Sequence, residues 1–73
     1  MEKEWHIQPY YKSELAQAYA PEISLKAALN RMALWIKINA PLTEALHETG
    51  YHPKQTLLTS RQVELIFHYL GQP

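Results

Sequence analysis

The chain has 73 residues, 47% of them hydrophobic, and its 7 Lys+Arg are matched by 7 Asp+Glu for a formal net charge of +0. A chain of this length is expected to form one domain, residues 1–73, with a thin core. The absence of cysteine excludes thiol catalysis, zinc–thiolate sites and iron–sulfur clusters. Neutrality argues against strong sequence-independent attachment to nucleic acid, whose affinity comes from neutralised phosphates, but it leaves room for a basic face balanced by an acidic one elsewhere.

The opening MEKEWHIQPYYK is charged and carries no apolar core of a leader. No apolar run approaches the roughly 20 residues that cross a bilayer. A cytoplasmic protein without membrane contact is the expectation. All the acids are Glu, a helix former, which suits a mostly helical chain.

From Glu4 to Tyr10, Trp5 and Ile7 alternate with His6 and Gln8, the pattern of a short extended segment that Pro9 confines to an edge or an end. Tyr10 and Tyr11, adjacent in extended backbone, point to opposite faces. Lys12–Tyr19 follows as a short helix with Leu15, Ala18 and Tyr19 on one side, Ala16 a small neighbour that allows close approach, and Glu14 near its positive end. Pro21 stops it, and residues 20–23 form a tight connection.

The longest element is Ser24–Ile38. Ser24 is a good N-cap. Leu25, Ala28, Leu29, Met32 and Ile36 recur at spacings of three and four, and Ala33, Trp35 and Ile38 widen that stripe. Asn39 and Pro41 end the helix, and Pro41 sits near the start of a third helix, in which Leu42, Ala45 and Leu46 face inward. Gly50 is placed to close it in a left-handed conformation. Residues 51–58 read as extended and are the natural partner of the N-terminal segment, since a strand cannot stand alone. The last helix opens with capping-box spacing at Thr59 and Gln62, flanked by Leu58 and Val63 at staple positions. Its inward face is Val63, Ile66, Phe67 and Leu70, and Gly71 ends it. The fold class is therefore all-α in the main: four helices with a short N-terminal extended segment.

A short helix, a tight turn and a longer second helix make a helix-turn-helix-like unit. In such units residues on the second helix touch base edges in the major groove. Lys26, Asn30 and Arg31 are the candidates, Lys and Arg suiting guanine and Asn adenine. Lys12, at the start of the first helix, is placed to reach a phosphate. The turn carries Ala20 and Pro21 instead of the glycine common there. The competing expectation is a plain helical bundle whose polar face is merely solvated, or a protein–protein adaptor that uses the aromatic side chains.

The elements Lys12–Ala16, Ala27–Ile36, Gly50–Pro53 and Leu57–Gly71, read KSELA, AALNRMALWI, GYHP and LLTSRQVELIFHYLG, resemble a family of short bacterial proteins described as a domain of unknown function. That resemblance implies a helix-turn-helix-like arrangement similar in outline to excisionase or MerR-type domains. The resemblance brings no established activity; the helix-turn-helix-like unit itself leads to the expectation of a small DNA-binding regulator of transcription or of a mobile element. Those domains have a shorter step from the E-L-A leucine to the tryptophan than Leu15 to Trp35 here.

Nothing points to an enzyme, a cofactor or a small-molecule substrate. The four histidines, His6, His47, His52 and His68, lack metal-ligand spacing, and no nucleophile stands in a recognisable setting. Double-stranded DNA is the expected partner, bound as a homodimer or beside a second protein.

Overall fold

A computed structural model describes residues 5–73. In chain order the elements are β1 (Tyr10–Tyr11), α1 (Lys12–Tyr19), α2 (Leu25–Ile38), α3 (Ala40–Glu48), β2 (Leu57–Leu58) and α4 (Ser60–Leu70). The fold is mostly helical, as the periodicities indicate. β1 and β2 pair antiparallel, Tyr10 opposite Leu58 and Tyr11 opposite Leu57. This is the pairing expected of the two extended segments, in a shorter form: residues 5–9 and 51–56 are irregular. Glu4 lies outside the described residues. Ile7 is exposed while Trp5 is half-buried, so the alternation over residues 5–8 does not create an inward face.

Local chemistry sets each boundary. The Ser24 hydroxyl accepts from the Ala27 N–H at 3.2 Å and starts α2. Asn39 both ends α2 and starts α3, its Oδ1 accepting from the Leu42 N–H at 3.1 Å. Thr43 Oγ1 donates back to the Ile36 carbonyl at 2.5 Å, which fastens α3 to the end of α2. At the C-terminus of α3 the Gly50 N–H reaches the His47 carbonyl at 3.0 Å and the Tyr51 N–H the Leu46 carbonyl at 3.2 Å. This is a Schellman closure, and Gly50, at φ +83°, takes the position that side chains disfavour. At α4 the capping box forms as read: Thr59 Oγ1 accepts from the Gln62 N–H and Gln62 Oε1 from the Thr59 N–H. The α1–α2 turn is held by Gln17, whose amide donates to the carbonyls of Ala20 (3.1 Å) and Ile23 (3.0 Å). That device replaces the missing turn glycine.

The core joins all four helices and β2: Leu15 and Ala16, Ala28, Met32 and Ile36, Leu42 and Leu46, Leu58, then Val63, Leu65, Ile66 and Phe67. The stripe on α2 is narrower than its sequence suggests. Leu25, Ala33 and Ile38, expected inside, are exposed, and Leu29 and Trp35 are half-buried. Ile38 lies in the last turn, and the chain turns at Asn39, leaving it 71% exposed. Trp35 instead packs edge-on to Tyr19, ring centroids 5.8 Å apart. Tyr10 and Tyr11 divide as expected of neighbours in a strand: Tyr10 packs with Trp5 and Phe67, and Tyr11 is exposed. The Tyr19 hydroxyl donates to the Gly71 carbonyl, which ties α1 to the end of α4.

Candidate functional site: the outer faces of the long helix

α2 carries Lys26, Arg31 and Lys37 and no acid, and all three cations are exposed. Among the described residues none of them forms an ion pair; the pair that does form is Arg61–Glu64 on α4. The described glutamates lie elsewhere: Glu14 on α1, Glu22 in the turn, Glu44 and Glu48 on α3, Glu64 on α4. The neutral chain thus concentrates free positive charge on one helix.

At roughly 100° per residue, the outer surface of α2 divides into two edges. Lys26, Asn30, Ala33 and Lys37, spaced four, three and four apart, lie along one. Arg31 and Ile38 lie toward the other, with Leu34 between the two edges, about 40° from Asn30. Lys26 and Asn30 are therefore brought together as expected, but Arg31 is not with them; about 100° of helix separates it from Asn30. Arg31 stands instead beside Trp35 and the Tyr19–Ile23 turn, where it shares a depression with Glu22. Lys37, which the sequence analysis did not single out, belongs to the Lys26–Asn30 edge, and the repeat K-x-x-x-N-x-x-x-x-x-x-K was the signal for it.

Lys12 departs from expectation. It is 8% exposed, and its ammonium donates to the Pro53 carbonyl at 2.8 Å and lies 5.3 Å from the centroid of the Tyr51 ring. It is an internal cation that ties the start of α1 to the segment after α3. It is not an outward arm of α1 ready to meet a phosphate. Among the described residues no carboxylate pairs with it. Its first-turn position puts it at the positive end of the α1 dipole, the unfavourable end for a cation. A desolvated ammonium with no counter-charge is expensive; the carbonyl and the aromatic face offset only part of that cost.

Two depressions flank the Lys26–Asn30–Lys37 edge and meet at Lys12, Ala33 and Pro53. The first, about 370 Å³, lies between α2, α3 and residues 51–53, with Ile36, Leu46 and Tyr51 in its walls and Lys37 and His47 on its lining. The second, about 330 Å³, runs between Asn30 and the segment 53–56, and brings Lys54 to the same side of the molecule. The segment carrying Lys54 is held by Gln55. Its amide N–H group donates to Gln62 Oε1 at 2.6 Å and to the Leu57 carbonyl at 2.6 Å. Gln62 is 1% exposed, and its own amide N–H group donates to Thr49 Oγ1 at 2.9 Å.

The family model described as "Domain of unknown function (DUF4248)" matches residues 6–73. The chain belongs to that family. The resemblance seen in KSELA, GYHP and the last helix is thereby shown, while DUF4248 brings no assigned chemistry with it. No curated protein and no solved structure matches the chain.

Among the described residues no group of three or more His, Asp or Glu side chains is placed to hold a metal ion. No helix among them is long and apolar enough to cross a membrane.

Proposed function

We propose that this DUF4248 protein is a small DNA-binding regulator of helix-turn-helix type, with α1, the Gln17-braced turn and α2 as the binding unit. The observation that carries this reading is the exposed edge Lys26–Asn30–Lys37 on a helix with no acid. Lys26 and Asn30 are near the start of α2, where such units touch base edges. Asn30 offers the amide that suits adenine and Lys26 the ammonium that suits guanine. Lys37 and Lys54 supply phosphate contacts on either side. Lys12 has no direct role; it positions the segment that carries Lys54. Arg31, on the other edge, is secondary.

The test is fluorescence anisotropy with labelled duplex DNA at two salt concentrations. Lys26→Glu with Lys37→Glu abolishes binding at the lower salt, and Arg31→Glu alone weakens it far less. All three side chains are exposed, so stability changes by no more than about 0.5 kcal/mol. Each lost phosphate contact lowers the slope of log K against log salt by about 0.9. Salt-insensitive binding, or equal loss in the two variants, refutes the assignment.

A protein partner has its own support. Leu34 and Ile38, 53% and 71% exposed, form an apolar strip on α2 beside Arg31, and Ile38 borders a depression shared with Trp35, Pro41 and Leu70. As an adaptor without nucleic-acid binding, the protein would use that strip. Leu34→Glu with Ile38→Glu would then abolish association in sedimentation while leaving the anisotropy of labelled duplex DNA unchanged.

A further inference from the structure

The depression between α2, α3 and residues 51–53 combines features that, Lys37 apart, the DNA reading leaves unused. Its volume of about 370 Å³ falls within the range of small-molecule sites. Its walls are apolar, built from Ala33, Ile36, Leu46, Tyr51 and Pro53. The charged groups on its lining are all basic or basic-capable: Lys12, Lys37 and His47, with no carboxylate. One of those cations, Lys12, is more than nine-tenths buried and has no counter-ion among the described residues. A lysine ammonium has three donors; one is used on the Pro53 carbonyl.

We infer that this groove binds a small amphipathic monocarboxylate, its apolar body against Ile36, Leu46 and Tyr51 and its carboxylate toward the cations at the rim and floor. Each half of that ligand answers a separate feature. The apolar body covers walls that water wets poorly, and the carboxylate supplies the negative charge that no described residue gives Lys12. A neutral apolar molecule meets only the first need and a bare anion only the second. Binding is measured with no DNA present, so the inference stands or falls separately from the proposed function.

The experiment is an NMR titration of the ¹⁵N-labelled full chain with hexanoate, with hexanamide and with inorganic phosphate. Hexanoate is expected to give saturable shifts at Ala33, Lys37, Leu46 and Tyr51, with a Kd on the order of 1 mM for a ligand so small. Hexanamide is expected to bind about tenfold more weakly, having lost the charge-assisted contact. Phosphate is expected to leave Leu46 and Tyr51 unmoved. Ala33→Phe, at an exposed position on the lining, fills the groove and removes the hexanoate shifts. Should that variant fail to fold, Lys37→Gln with His47→Gln weakens hexanoate without changing hexanamide. No saturable hexanoate shift, equal affinity for the amide, or equal shifts with phosphate would each overturn the inference.

Discussion

Replacing Gln62 with leucine tests whether the segment bearing Lys54 is fixed by a buried amide cluster. Gln62 is 1% exposed. Its Oε1 accepts from the Thr59 N–H at 3.0 Å and from Gln55 Nε2 at 2.6 Å, and its Nε2 donates to Thr49 Oγ1 at 2.9 Å. A fourth contact, Nε2 to Gln55 Oε1, is at the 3.5 Å limit and adds little. Three well-formed bonds at about 1 kcal/mol each sum to roughly 3 kcal/mol. Leucine buries similar volume and returns about 1 kcal/mol through apolar burial. The net loss is about 2 kcal/mol, against a total stability of roughly 4–11 kcal/mol for a chain of this size. With a urea m-value near 1 kcal/mol/M for so small a domain, the midpoint falls by about 2 M with the slope unchanged.

The double variant sharpens the test. Gln55→Leu also removes the 2.6 Å Gln55–Gln62 bond, although Gln62 keeps Thr59 and Thr49 and, in the Gln62→Leu protein, Gln55 keeps the Leu57 carbonyl. The bond they share is lost in either single variant but only once in the double, so the pair should cost less than the sum of the singles by about 1 kcal/mol. Additivity within about 0.3 kcal/mol, or a Gln62→Leu protein as stable as the parent, would refute the claim that this cluster holds the segment. The same Gln55→Leu protein should lose DNA affinity if Lys54 acts as proposed, because its loop is then loosened without any charge being removed.

Gly50→Ala forces a side chain into φ +83°. The space is open, so the cost is conformational alone, about 1–2 kcal/mol by urea denaturation; a neutral result would mean that α3 closes in another way. Tyr19 has its hydroxyl pushed up to about 12 by burial, above the unfolded value of 10. The neutral phenol is the form the fold prefers, so its contribution is complete below pH 10 and is lost as the pH rises from 10 through 12. Following the Tyr19 ring by carbon-13 NMR should show this late titration, a step absent in Tyr19→Phe. A Tyr19→Phe protein that keeps the late step would assign it elsewhere.

What the sequence made legible was local. Ser24, Asn39, Gly50, Thr59 and Gln62 act within three or four residues of themselves, and each cap or closure forms where its chemistry requires. The inward faces of α3 and α4 followed from spacing, because both helices are packed along their length. α2 was overestimated for the same reason in reverse: spacing marks which residues share a side, but Ile38 has no neighbour to cover it once the chain turns at Asn39. Lys12 was misplaced because its partner, the Pro53 carbonyl, is 41 residues away, and no pattern in KSELA announces a buried ammonium. Lys54 came to the site by the same long-range closure. Arg31 differs from both. Its angular separation from Asn30 is arithmetic on a helix, available before any fold, and grouping it with Lys26 and Asn30 treated one helix as having one outer face. The two edges make a stronger statement than a single basic helix would. On the proposed reading, Lys26, Asn30 and Lys37 would meet an anionic polymer while Leu34 and Ile38, beside Arg31, stay open to a protein. That is the geometry a small neutral domain needs if it is to bind DNA as part of an assembly.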